Sequence, residues 1–436
     1  HQYIDVISMM RPITKWNARL TDPAIIPEVV RKAFKLAETE KPGATHIELP
    51  EDVMAQPLDA QPLPRMEVAR PEPNARDLLR AADLIKSSVN PVVLAGNGVI
   101  RSHAAQALRD FAHATNIGVA TTFMGKGVVD YEDDLTIGAV GLQAGDYAMA
   151  GFEDADLVIA VGYDLVEHSP KYWNPSGDKR IIVIDTTPAE IDSYYMHEIE
   201  LTGDIYHILN TLTEECRNSS FPGCSRRLHD VVMGRLEAGR DDDTFPAQPP
   251  RALWEIRQAM GRDDILVSDV GLHKLWIGRM FPAYEPNTVL IANGLAGMGF
   301  ALPAAIGAKL VHPDRTVITV NGDGGFMMNC QELETAVRLK TPIVNIIWEN
   351  CQFGSIVWKQ DNKFGRHFGV DFTNPDFVKL AESFGMPAWR ATSCDDFGNR
   401  LRHATTLDVP SLIVLPIDYS LDVRISEELG EGLVAT

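Results

Sequence analysis

Asp323 and Asn350 stand 27 positions apart, each placed directly after an apolar run that reads as a β-strand. One run holds Val317, Ile318 and Val320 and enters Gly322-Asp323-Gly324-Gly325; the other, Ile343 to Trp348, ends at Asn350. A helical pattern from Gln331 to Leu339 lies between them. In an open parallel sheet, neighbouring strands present their C-terminal ends at one crevice, where phosphate-bearing ligands bind. A carboxylate and an amide oxygen, joined by a diphosphate and water, make an oxygen-only shell suited to Mg²⁺. The flanking glycines let backbone N–H groups come close to phosphate oxygens. An isolated Gly-Asp-Gly is more often a plain strand–turn–helix with a capping Asp. The second strand and its Asn reverse that reading here.

The bulk numbers permit such a site without specifying it. A chain of 436 residues has room for two or three domains. Its 45% hydrophobic and 23% charged residues are ordinary for a soluble globular protein. A formal charge of −20 argues against nucleic acid and anionic membrane as partners. Five cysteines without CxxC spacing fit a reducing compartment, so a cytoplasmic location is expected. No apolar run reaches the length of a membrane span and no signal peptide is recognisable. His1 lies inside what reads as a folded segment, so the chain is expected to be a piece or processed product of a longer one.

The expected fold class is α/β, with doubly wound parallel sheets. Residues 1–56 read as the end of a domain, with an extended piece (Tyr3 to Met10), a helix through Ile26, Val29, Val30 and Phe34, and one strand at Thr45 to Leu49. Residues 57–73 form a proline-rich linker. Residues 74–216 form a central, Rossmann-like domain with strands at 91–95, 118–122, 157–161 and 180–184. A second linker covers 217–249. The diphosphate-binding domain spans 250–420, with a helix at 250–260 and strands at 265–268 and 411–416, and an acidic tail covers 421–436.

Several stretches together resemble the acetolactate synthase large (catalytic) subunit family of thiamine diphosphate enzymes. They are His46-Ile-Glu-Leu-Pro-Glu-Asp52, Asn293-Gly-Leu-Ala-Gly-Met-Gly-Phe-Ala-Leu-Pro303, Glu332-Leu-Glu-Thr-Ala-Val-Arg338 and the Asp323…Asn350 pair. The resemblance covers essentially the whole chain, beginning with the last part of the family's pyrimidine-binding domain. It implies thiamine diphosphate and Mg²⁺ as cofactors, with Asp323, Asn350 and the Gln352 carbonyl as metal ligands. By the same implication Gly322, Gly324, Gly325, Gly354 and Ser355 contact the diphosphate, and Val270, Gly271 and His273 border it. The family often has Gln where this chain has Leu272, which removes one polar contact. Met298 would prop the cofactor in its bent shape, although a Met among glycines is ordinarily core filler. His273 reads equally as a solvated residue at a helix start. Gln2 and Lys15 align with residues near the family's pocket, and for Lys15 a plain surface position is as good a reading.

The implied reaction is decarboxylation of pyruvate and condensation with a second pyruvate to 2-acetolactate, by a homodimer or homotetramer. The stretch Gly162-Tyr-Asp-Leu-Val-Glu-His-Ser-Pro170 lacks the arginines of the flavin-holding members and resembles the catabolic, FAD-independent branch. Arg is the usual partner of a dinucleotide pyrophosphate, so FAD is not expected. Lys359 stands where the biosynthetic branch carries an acceptor-pocket Trp, and Trp358 is expected to face elsewhere. A pocket without that indole should prefer pyruvate to 2-oxobutanoate as acceptor. No residue of 1–56 matches the setting of the family's activating Glu, so this polypeptide alone is expected to be nearly inactive. Other thiamine diphosphate decarboxylases or carboligases, and a non-catalytic truncated subunit, remain alternatives. The pathway, acetoin and butanediol formation or branched-chain amino-acid synthesis, stays open.

Overall fold

The structure, a computed structural model, describes residues 4–66, 68–141, 149–221, 230, 234 and 237–421. They fall into two compact units, the smaller made of residues 1–72 with the short segments 186–188 and 202–204. In the smaller unit β1 (Trp16–Arg19) pairs in parallel with β2 (Thr45–Glu48). The helix Ile26–Glu38 lies between them in sequence. Two expectations are corrected here. The extended piece through Met10 is instead a short helix, Val6–Met10, because Asp5 caps it by accepting from the Ser8 N–H at 3.1 Å. One strand was expected and two are present, since β1 carries too little β-branched character to be read from its four residues.

The larger unit contains two six-stranded sheets. The first has the order β5-β4-β3-β6-β7-β8, built from β3 (Pro91–Ala95), β4 (Gly118–Thr122), β5 (Thr136–Val140), β6 (Leu157–Val161), β7 (Arg180–Asp185) and β8 (Ile199–Thr202). β3 to β6 are buried along their whole length, which explains the unbroken apolar runs of β3 and β6. β5 escaped sequence reading because Gly138 interrupts it at φ 112°, next to a register shift against β4.

The second sheet has the order β10-β9-β11-β12-β14-β13. Its strands are β9 (Ile265–Ser268), β10 (Val289–Ile291), β11 (Val317–Gly322), β12 (Val344–Glu349), β13 (Ala388–Arg390) and β14 (Ser411–Pro416). β9, β11, β12 and β14 match the expected strands. β10 and β13 are three-residue edge strands, too short to show a period.

A buried polar ladder sets the register at the centre of this sheet. The Thr319 hydroxyl donates to Asn345 Oδ1 (3.1 Å), Asn321 Nδ2 donates to Thr319 Oγ1 (2.7 Å), and Asn345 Nδ2 reaches the Ser411 carbonyl (3.3 Å). A slip of one residue would strand these groups without partners in the core. The ladder therefore fixes how the end of β11 lies beside the end of β12.

The two six-stranded sheets both lie within this larger unit and meet at a joint. The joint is dry and close. Phe123 fills the space where a Cβ on Gly278 would sit, 2.6 Å from the ring. Lys126, 4% exposed, donates to the Gly278 carbonyl at 2.9 Å and lies over the Tyr131 ring. Among the described residues no helix is long and apolar enough to cross a membrane.

Burial alone pulls the Lys126 ammonium down from 10.5 to about 7. Between those values the unfolded chain binds the extra proton, so stability rises with pH there. The expected slope from this residue is about 1.4 kcal/mol per pH unit. Urea unfolding at pH 7, 8 and 9 should show that rise in the native protein and a flatter profile in Lys126→Met.

Candidate active site

The sequence has little freedom at the ends of β9, β11 and β12. Ser268 pairs with Val320, and Gly322 pairs with Trp348, so the residues that follow all emerge at one edge. They line a single cavity of about 190 Å³. Val270 and Gly271 come from the turn after β9, His273 from the start of the helix Leu272–Met280, and Gly322, Asp323, Gly324 and Gly325 from the end of β11. Asn350, Gln352, Gly354 and Ser355 come from beyond β12, and Met298 from the loop after β10. Every cofactor contact expected from the sequence thus reaches this cavity. Leu272, together with Phe353 and Tyr419, which sequence reading did not propose as contacts, supplies its apolar wall.

Asp323 is the centre of the arrangement and only 1% exposed. Its Oδ2 accepts from the N–H groups of Asn350 (3.0 Å) and Cys351 (2.6 Å) and from Asn374 Nδ2 (2.9 Å). Its Oδ1 accepts from the N–H of Gly324 at 2.8 Å. Oδ2 is therefore saturated by the far strand, and Oδ1 is the oxygen left to meet a cation. Among the described residues no three His, Cys, Asp or Glu side chains converge on a metal position. A cation here would rely on one carboxylate, neutral oxygens and phosphate oxygens, which suits a hard ion such as Mg²⁺.

The turn after β12 is pinned from outside. The Phe353 N–H donates to the Val370 carbonyl (3.0 Å), and the Phe372 N–H to the Cys351 carbonyl (3.0 Å). Gln352 faces Asp371 in this antiparallel bridge, and its side chain donates to Asp371 Oδ1 at 2.7 Å. In a pair of that kind the middle residue keeps its own carbonyl out of the bridge. The Gln352 carbonyl is thus free for the cavity side.

The loop that carries Met298 is held at both ends by buried polar groups. Lys274 donates to the Ala292 carbonyl (2.9 Å) and to Asn293 Oδ1 (2.8 Å). Asp269, fully buried, accepts from the N–H groups of Gly299 (2.9 Å) and Phe300 (3.1 Å). Asn329 Nδ2 donates to the Gly299 carbonyl at 2.8 Å. Burial pushes the Asp269 carboxyl up despite those donors and lowers Lys274 to about 8. Met298 itself is half-buried and faces the cavity.

His273 is buried, not a solvated residue at a helix start. Burial lowers its imidazole to about 3, while a bond to the Asp269 backbone opposes that shift. Its Nε2 has no hydrogen-bond partner. The ring is wedged against Gly271 and Gly322, where added Cβ atoms would lie 2.6 and 3.2 Å from it. An orphaned buried nitrogen, close-approach glycines and a carboxylate with one open oxygen fit a diphosphate-bearing ligand with its cation.

The comparisons agree with this geometry. Residues 269–415 match the family described as thiamine pyrophosphate enzyme, C-terminal TPP binding domain, and residues 78–212 match its central domain. An acetolactate synthase of Bacillus subtilis is 34% identical over 98% of this chain and 76% of its own length. A catabolic acetolactate synthase of Raoultella terrigena is 33% identical, covering 96% of this chain and 76% of its own. A probable acetolactate synthase large subunit of Methanocaldococcus jannaschii is 34% identical, over 96% and 74% respectively. The chain belongs to the acetolactate synthase family.

For an acetolactate synthase relative, the remaining expected residues need separate accounts. Gln2 lies outside the described residues. Lys15 is exposed, and its ammonium donates to the carbonyls of Thr39 (2.6 Å) and Lys41 (2.8 Å), closing the turn within the smaller unit. Trp358 and Lys359 face in different directions. In the helix Gly354–Phe364, Trp358 falls one turn after Gly354 and lines a second cleft of about 300 Å³ that shares Leu272, Asn350, Gln352 and Gly354 with the first. Lys359 is the exposed residue. The indole lines this neighbouring cleft and not the first cavity, and the preference for pyruvate over 2-oxobutanoate stays an expectation.

Asp269, Asn329 and Asn374 were missed by sequence reading. Asp269 carries the signal of an acid directly after a strand. Asn374 sits in a loop 51 positions from Asp323, and no local pattern links them. Replacing Asn374 with Ala should loosen the turn at Asn350 and raise the Mg²⁺ concentration for half-maximal thiamine diphosphate binding by about 10-fold or more. A fluorescence titration of the cofactor at graded Mg²⁺ measures this, and an unchanged midpoint would show that Asn374 has no part in placing the metal turn.

Proposed function

We propose that the protein is a thiamine diphosphate- and Mg²⁺-dependent carboligase that converts two pyruvate molecules into 2-acetolactate and carbon dioxide. The observation that carries this reading is the joining of the β11 and β12 ends through Asp323, with one carboxylate oxygen left for a cation. Asp323, the Asn350 side chain and the Gln352 carbonyl hold Mg²⁺ in this reading. The N–H groups of Gly324, Gly325, Gly354 and Ser355 receive the diphosphate, with His273 and Val270-Gly271 on its other side. Met298, on a loop anchored by Lys274 and Asp269, supports the bent cofactor.

The bound cofactor supplies the carbanion and electron sink that release of carbon dioxide from a 2-oxo acid requires. The chain's own part is to anchor, orient and exclude water. Lys274 and Asp269 fix the two ends of the Met298 loop, so that the sulfur keeps its place when ligand enters. Phe353, Leu272 and Tyr419 keep the cavity wall apolar.

Assembly as a homodimer or homotetramer is part of the same reading. Leu295 is fully exposed and Phe300, Met327 and Met328 are partly so, an apolar fringe that suits cover by a second copy. The residues 162–170 favour the catabolic branch, whereas the nearly equal identities to catabolic and other relatives favour neither.

Calorimetry with thiamine diphosphate should show binding only when Mg²⁺ is present, and Asp323→Ala should abolish it. Equal heats with and without Mg²⁺ would sink the metal assignment. With pyruvate as sole substrate, the turnover this polypeptide supports, expected to be small without the family's activating Glu, should give 2-acetolactate, whereas acetaldehyde as the main product would place the protein among the 2-oxo acid decarboxylases.

A further inference from the structure

The central sheet has a ligand crevice of its own that the proposed reaction leaves unused. From β3 the chain builds β4 on one side and later β6 on the other, so the strand order reverses beside β3. Open α/β sheets bind dinucleotides outside the strand ends at such a switch point, with the pyrophosphate on a Gly-rich turn. Here that turn is Gly96-Asn97-Gly98, after β3.

The crevice is closed by the protein itself. The Gly98 N–H donates to the Gly162 carbonyl, across from β6, at 2.8 Å. A Cβ on Gly96 would lie 2.3 Å from that same carbonyl oxygen, and one on Gly98 2.5 Å from the Gly162 Cα. Two backbones this close leave no width for a diphosphate between the turns.

A side chain of the protein itself meets the donors at the strand ends. Glu167, 4% exposed, turns its carboxyl group back over the strand ends. Its Oε2 accepts from the Met124 N–H, just past β4, at 3.2 Å. The Asn97 N–H and the Thr122 hydroxyl also face this carboxyl group. Lys274, from the thiamine half of the unit, adds a favourable charge, and Asn293 Nδ2 donates to the Glu167 carbonyl at 3.3 Å. Oε1 stays buried without a partner. A surface glutamate packed by chance would not gather donors from the ends of two strands.

We propose that Glu167 is a built-in occupant of the dinucleotide crevice, its carboxyl group sitting where a pyrophosphate would and barring flavin and nicotinamide dinucleotides from the central sheet. A flavin does not fit this domain as folded. The Glu167 backbone carbonyl, through Asn293 and Lys274, ties the closed crevice to the root of the Met298 loop.

The test needs no thiamine cofactor, so it stands or fails apart from the proposed reaction. Equilibrium dialysis of the native protein against FAD and against NAD⁺ should show no retention, and stoichiometric retention of either overturns the proposal. Glu167→Ala should lower Tm by about 5 °C. Formate, a free carboxylate, should restore part of that loss in the variant and leave the native Tm unmoved. Equal formate responses in the two proteins would refute a carboxyl-sized seat. Glu167→Gln, which keeps the shape and one acceptor, should stay close to the native Tm and still retain no dinucleotide. The dialysis arm uses native protein and decides the matter even if Glu167→Ala does not fold.

Discussion

One buried carboxylate oxygen, Asp323 Oδ2, holds three chain segments together. It accepts from two N–H groups past β12 and from a side chain 51 positions further on. A carboxylate out of water must be compensated by donors, and three satisfy one oxygen fully. The consequence is directional. With Oδ2 spent on structure, Oδ1 is left toward the cavity, so the same residue can fix the turn and present a charge. The buried Thr319–Asn345–Ser411 ladder beneath supports this, because any shift of β12 against β11 would move Asn350 away from that oxygen.

The same device recurs around the cavity. Asp269 and Lys274 are both taken out of water, and each spends its hydrogen bonds on backbone or amide groups of the Met298 loop. Burying such groups is costly unless they are bonded, so the loop and its anchors stabilise each other or fail together. The half-buried methionine between them needs no core of its own to keep its position. Rigidity is concentrated where a bent ligand would need support.

The joint between the two sheets follows a different logic. Lys126 has one carbonyl and one aromatic face as company, which burial punishes by depressing its charge. Glu167 and Asn293 make a second tie across the same joint. Together with Phe123 against Gly278, these contacts join the first six-stranded sheet to the second.

Runs of apolar residues fixed most strands, because strands buried on both faces need no partner information to be recognised. The meeting of Asp323 and Asn350 at one crevice was legible for the same reason: a strand's end is a local event, and the crevice follows from parallel packing. The short edge strands β10 and β13, the interrupted β5 and the capped helix at Val6–Met10 were not legible, since each depends on a neighbour or a single side-chain bond. The burial of His273 and the parts played by Asn374 and Glu167 belong to tertiary structure alone. Those properties exist only once distant segments meet, and the spacing of residues along a chain carries no record of which donor will face which oxygen.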